Sequence, residues 1–150
     1  MVDPQGKKAA TNGAQFEDII ENAICGILRI ESKKWKPTSV RHKGMNLLWK
    51  NVPYVSIYGT NCRSEFVLNY NDRKIRIECK YQESSGSVDE KLPYLMMNFT
   101  SEVPEDETII IIEGDGFRPA AVSWLRESCI NTKCKVFNTT QFLYYLTSFI

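Results

Sequence analysis

The chain reads as one α/β domain built around a mixed sheet, and three observations carry that reading. Phe16, Ile19, Ile20, Ala23, Ile24, Ile27 and Leu28 recur at helical spacing; Ser64–Tyr70 and Lys74–Gln82 alternate at strand spacing across the polar turn Asn71-Asp72-Arg73; and Thr108–Ile112 is a β-branched run of the kind buried on both faces. At 150 residues and 43% hydrophobic content there is enough chain for one core and too little for two of ordinary size. Residues 1–13 are polar and read as a disordered tail, leaving 14–150 as the domain.

The first helix carries Glu17, Asp18, Glu21 and Asn22 opposite its apolar stripe. The next stretch, residues 31–51, interleaves bases with aromatics: Lys33, Lys34, Trp35, Lys36, Arg41, His42, Lys43, Trp49 and Lys50. That mixture suits phosphate contacts and ring stacking, and equally a solvated connector whose Trp35 and Trp49 pack back on the core. Val52–Tyr58 reads as the first strand, with Pro53 near its start, and Gly59-Thr60-Asn61 as the turn into the next.

Farther on, Ser87-Val88-Asp89-Glu90 has the form of a capping box, and Val88, Leu92, Leu95, Met96 and Phe99 follow a helical stripe. Pro93 lies inside it, so the helix either begins near Leu92 or kinks. Gly114-Asp115-Gly116 is a turn lacking the lysine and hydroxyl of a phosphate loop. A helix over Phe117–Cys129, a strand over Lys133–Phe137 and a helix over Thr140–Ile150 complete the chain, whose apolar end requires burial in the domain or in a dimer contact.

Chemistry concentrates in Lys74–Gln82. Read at a period of two, Ile75, Ile77, Cys79 and Tyr81 share one face, and Lys74, Arg76, Glu78, Lys80 and Gln82 the other. Neighbours at i and i+2 stand about 6.5–7 Å apart, so Glu78 can hold a cation while Lys80 reaches the water or phosphate oxygen beside it. The hairpin brings Glu65 within reach as a second carboxylate, and an oxygen-ligand Mg²⁺ site needs one or two. Alone, Glu78-Cys79-Lys80 also matches an exposed ladder of salt bridges.

Glu65, followed thirteen residues later by Glu78-Cys79-Lys80, resembles the signature of the PD-(D/E)XK nuclease superfamily. Gln82 with Ser85-Gly86-Ser87-Val88-Asp89-Glu90-Lys91-Leu92-Pro93 is similar to the strand-to-helix passage of small phage and restriction nucleases. The resemblance implies a restriction-endonuclease-like αβββαβ core with a mixed central sheet flanked by helices, Mg²⁺ with Mn²⁺ able to substitute, and cleavage of nucleic-acid phosphodiesters. It implies Glu65, Glu78 and the backbone carbonyl of Cys79 as metal ligands, and Lys80 as the residue that orients or helps deprotonate water. Gln82 would position water or phosphate, and a first-helix glutamate would join the site, Glu17 ahead of Glu21. The sequence departs from the family in having Ser64-Glu65 where Pro-Asp is usual.

The expected activity is therefore a Mg²⁺-dependent DNA endonuclease of restriction, homing or phage DNA-processing type. An exonuclease or junction resolvase of the same superfamily, or an inactive nuclease-like binding module, are the alternatives. The expected partner is double-stranded DNA, gripped through Lys33, Lys34, Lys36, Arg41 and Lys43, with a homodimer or higher homo-oligomer supplying two sites. His42, the single histidine, is not needed as a base.

Net charge is +1, but unevenly placed: residues 29–50 hold seven bases against Glu31, and residues 83–107 seven acids against Lys91. The five cysteines form no zinc spacing or disulfide framework and read as reduced thiols. With no apolar run after Lys7-Lys8 and no span-length segment, the chain reads as soluble and cytoplasmic, without a membrane partner.

Overall fold

The computed structural model describes the backbone of residues 4–41 and 44–150 and the side chains of residues 12–39 and 44–150. Helix α1 (Pro4–Leu28) is followed by β1 (Ser32–Lys34), a 3-10 turn (Pro37–Arg41), β2 (Leu47–Val55), β3 (Asn61–Tyr70) and β4 (Arg73–Tyr81). Then come α2 (Val88–Met97), a π turn (Asn98–Glu102), β5 (Glu107–Glu113), α3 (Pro119–Cys129), β6 (Cys134–Phe137) and α4 (Thr139–Thr147). The expected α/β class and mixed sheet are observed. Helix α1 begins at Pro4, a residue accommodated at a first helical position, and includes Gly6 and Gly13, which a helix tolerates.

The six strands lie in chain order, β1 to β6. β2, β3 and β4 are antiparallel neighbours, while β1–β2, β4–β5 and β5–β6 are parallel. Parallel neighbours need crossovers, and α2 and α3 provide them between β4 and β6. The β3–β4 turn is a two-residue one, with Asn71 at φ 49° and Asp72 at φ 65°. Positive φ at both central positions matches the twist of a hairpin, and Asn and Asp tolerate it better than most residues.

Two cores follow. On one face Ile75, Ile77 and Cys79 pack with Phe16, Ile20, Ile24 and Leu28 of α1 and Phe142 and Leu146 of α4. On the other, Ile110 and Ile112 pack with Leu92 and Leu95 of α2 and Leu125 of α3. Thr108–Ile112 is buried throughout, as a strand covered on both faces must be. No helix among the described residues is long and apolar enough to cross a membrane.

The polar face of β4 is not the open surface its alternation suggested. Arg76 is 2%, Glu78 5% and Gln82 6% exposed. Burying a guanidinium requires full pairing, and Arg76 has it: Nε and Nη2 donate to Glu105 at 2.7 and 2.9 Å, Nη1 to Val52 O and Ser64 Oγ at 3.1 and 2.7 Å, and Nη2 also to Pro53 O at 3.3 Å. Elsewhere, α2 is continuous through Pro93, Met97 is exposed while Met96 packs inward, and Ile150 remains 78% exposed at the apolar end.

Glu105→Ala should therefore cost about 3–5 kcal/mol, because it strands a buried charge. Urea unfolding followed by circular dichroism measures this, and a loss under about 1 kcal/mol would mean that Arg76 finds water instead. The double replacement Arg76→Met with Glu105→Leu should recover much of the loss.

Candidate active site

The site begins with a break in strand parity. Leu47 and Trp49 share a cluster with Val52 and Val67, so the side chains of β2 facing it change from odd to even numbers across Asn51. Asn51 makes the change with a φ of 57°, in the left-handed region where asparagine is enriched. Lys50 pairs with Phe66 and Val52 with Ser64, while Asn51 and Glu65, opposite each other by register, are left unpaired.

β3 switches at the same level. Phe66 and Leu68 face α1, whereas Ser64 accepts from Arg76 on the other face. The β3–β4 ladder ends at the pair Phe66–Ile77. Beyond that rung Glu65 occupies the fork between the strands, and its Oε2 accepts the Cys79 N–H at 3.1 Å. The carboxyl of Glu65 lies within hydrogen-bonding reach of Glu78 on one side and of Glu17 from α1 on the other. Lys80 Nζ donates to Glu78 Oε1 at 3.2 Å.

Electrostatics follow from this crowding. Burial, then the Glu78 charge, pushes the Glu65 carboxyl well above the usual carboxylate range. Burial, then the charge of Glu65, pushes Glu17 up to about 7. Burial pulls the Lys80 ammonium down, but Glu78 and Glu65 outweigh it and the net shift is upward. Lys80 is thus a fixed cation beside carboxyls that repel one another. A cleft of about 330 Å³ opens alongside, with Glu17 and Glu65 in its lining together with Lys50, Asn51 and Arg63.

A sequence profile of the PD-(D/E)XK nuclease superfamily domain matches residues 8–150. The chain belongs to the PD-(D/E)XK nuclease superfamily. Its sequence matches no curated protein. Among solved structures, the crystal structure of protein VC1899 from Vibrio cholerae is similar in fold, with a TM-score of 0.53 and 13% identity over 99% of this chain and 35% of that one, so this chain spans roughly a third of that protein's length.

Glu78 and Lys80 stand on one strand, β4, with Glu65 on its neighbour β3. Hard oxygen donors are what a divalent cation such as Mg²⁺ takes, so the carboxylates of Glu65, Glu78 and Glu17 fit that group, with the Lys80 ammonium beside them as a non-ligand. Among the described residues no three His, Cys, Asp or Glu side chains are already grouped for a metal ion. Crowding of Glu65 against Glu78 and Glu17 is the feature that a bound cation would relieve.

The remaining expected residues fall elsewhere. Gln82 is not in the cluster: Nε2 donates to Gly116 O at 2.8 Å and to Asp89 Oδ1 at 3.3 Å, and Oε1 accepts from Val88 N at 3.0 Å. It caps α2 in place of Ser87, whose backbone is already helical at φ −91°, ψ −1° and whose side chain makes no cap. Both amide hydrogens and the oxygen of Gln82 are engaged there, at the start of α2 and the Gly116 turn. Glu21 is held by Lys50 at 2.9 Å and Ser32 at 2.6 Å, so Glu17 is the α1 acid that meets Glu65.

Lys33 and Lys34 are exposed neighbours on the edge strand β1 and so point to opposite sides, and Lys36 is also exposed. His42, Lys43 and the Arg41 side chain lie outside the described residues. Trp35 and Trp49 pack into the cluster around Val52 and Val67, so they are not stacking surfaces. Sequence reading placed Lys50 in the basic stretch without tying it to the carboxylates and missed Asn51 and Arg63 as lining residues; for Arg63 a signal was its place two residues before Glu65.

The raised Glu17 value has a stability consequence. An acid whose folded value lies above its ordinary 4.5 stabilises the fold at low pH and loses that contribution as pH rises through about 7. In chelator, unfolding free energy should decline from pH 5 to pH 8, and Glu17→Gln should flatten that decline. Urea titrations at the two pH values provide the comparison; an equal decline in the variant would place the titration on other groups.

Proposed function

We propose that this PD-(D/E)XK domain is a Mg²⁺-dependent DNA endonuclease. The observation that carries the reading is the meeting of Glu65, Glu78 and Lys80 at the fork where β3 and β4 part. Glu65, Glu78 and the Cys79 carbonyl would hold Mg²⁺, with Mn²⁺ as a substitute and Glu17 behind them. The cation would supply a bound water of lowered pKa and positive charge for the developing oxyanion.

The chain's own groups do the rest. Lys80, held against Glu78, would orient the attacking water or help deprotonate it and would donate to a phosphate oxygen. Glu17, from α1, adds a further carboxylate beside Glu65. Lys50 and Arg63 offer positive charge along the cleft that a phosphate backbone would enter. Lys33, Lys34 and Lys36 remain candidates for phosphate contacts outside it. One such site cuts one strand, so a double-strand break requires a second copy, and a two-fold dimer would supply it.

Lys80→Ala should lower cleavage by roughly 10²–10³-fold, as removal of one preorganised donor does, while leaving the fold and DNA affinity in place. Supercoiled plasmid with Mg²⁺ or chelator is the substrate of choice: nicking or linearisation marks an endonuclease, and resistance of closed circles with loss of linear DNA would mark an exonuclease. Wild-type turnover in Lys80→Ala would remove the assignment.

Glu78→Gln should abolish Mg²⁺ and Mn²⁺ binding in calorimetric titration, since a neutral amide is a poor ligand for a hard cation. Unchanged metal affinity would take Glu78 out of the ligand set.

A further inference from the structure

The β2–β3 hairpin carries an aromatic feature that the hydrolytic reading leaves unused. Tyr58, in its turn, is 76% exposed, yet its ring is not loose: it stacks on Tyr94 of α2 at 5.3 Å between centroids and 19° between planes. The turn itself is fixed. Ser56 N donates to Thr60 O at 2.9 Å, the Ser56 and Thr60 hydroxyls bond at 2.7 Å, and Ile57 N donates to Oδ1 of Asn98, a residue with no exposure, at 2.9 Å.

The row continues toward the carboxylates. Tyr94 Oη lies 3.6 Å from Cys62 Sγ. Tyr54 is half-buried, edge-on to Phe99 at 6.2 Å and with the Arg76 guanidinium 5.2 Å from its ring. Tyr54 lies opposite Cys62 in the β2–β3 register, so the Cys62–Tyr94 contact joins it to the stacked pair; its phenol is raised by burial first and then by the Glu78 charge. Lys91, exposed and one turn before Tyr94, offers a cation on the same helix flank.

A ring that is exposed, rigid and already stacked on one side presents its other side as a flat apolar plane. Nucleobases bind such planes without sequence preference, but a base inside a duplex is already stacked and has no free face. We propose that the exposed face of Tyr58, backed by Tyr94, stacks an unpaired base of the strand whose phosphate lies at Glu65 and Glu78. This deepens the endonuclease reading and rests on it: the preferred DNA has at least one nucleotide out of the helix beside the cut, as at a flap, a single-stranded tail or a frayed end.

The test uses the full-length protein and two DNAs carrying 2-aminopurine, one with the probe in a single-stranded tail next to a duplex and one with it paired inside a blunt duplex. Binding is followed in Ca²⁺ by fluorescence quenching and cleavage in Mg²⁺ by gel. Wild type should quench the tailed probe and bind that DNA more tightly than the blunt one. Tyr58→Leu should abolish the quenching and weaken affinity for tailed DNA by roughly 5- to 150-fold, the loss of one base–aromatic stack, with blunt-duplex affinity unchanged. Tyr58→Trp should restore both. Equal affinity and quenching in wild type and Tyr58→Leu, with circular dichroism showing both folded, would overturn the proposal. Quenching by a wild type that cuts neither DNA would defeat the hydrolase reading and leave the stacking surface standing.

Discussion

The Phe66–Ile77 rung is the constraint on which the site depends, because it is where the β3–β4 ladder stops. Had pairing continued, the Cys79 N–H would have entered a ladder bond and Glu65 would have stood across from Glu78 on one face of the sheet. Ending the ladder leaves a donor that needs a partner, and Glu65 Oε2 supplies it. The carboxyl is thereby set in the gap between the strands, where it meets Glu78 and also Glu17, from a helix that packs on the opposite face. A regular hairpin would have no means of joining acids from the two faces.

Arg76 complements this break. Its guanidinium touches Val52 and Pro53 on β2, Ser64 on β3, and Glu105 in the loop before β5. All the β2 and β3 partners lie just past the kink at Asn51 and the gap at Glu65, where ladder bonds no longer fix the relation of those strands to β4. A buried ion pair is weak evidence of net stability; here its clearer effect is registry. It also keeps a second cation away from Glu78, two residues along the same face. Lys80 is left as the cation paired with Glu78, too little charge for the acids around it.

Features that repeat locally were legible in the sequence. The helical stripe of Phe16–Leu28, the Asn71-Asp72 turn and the buried run Ile109–Ile112 each follow from a period or from turn chemistry confined to a few residues. The pairing of Glu65 with Glu78 was also foreseeable at the level of the hairpin, but its manner was not. A period-two reading assumes one unbroken register, and a single left-handed Asn51 reverses every side chain beyond it. Alternating charge on β4 suggested solvent because the partners that permit burial, Glu105 for Arg76 and Gly116 for Gln82, lie 29 and 34 residues away. Gln82 looked chemical from its parity with Lys80. Its use is set by two close backbone approaches: a Cβ on Gly114 would stand 2.2 Å from Gln82 O, and one on Gly116 2.4 Å from Ser84 O.

The same geometry explains why α1 must be held firmly. Glu17 and Glu65 repel when ionised, and that repulsion acts to lift the helix from the sheet. Opposing it, Ile20 and Ile24 are wholly buried beneath α1, and Phe16 contacts Tyr81 at 5.8 Å between ring centroids. Phe16 immediately precedes Glu17, and Tyr81 immediately follows Lys80. The apolar ring contact therefore fixes the spacing of the two polar residues beside it, and the acid of one element and the cation of another are held in register by hydrophobic packing, which the charge state of the site does not weaken.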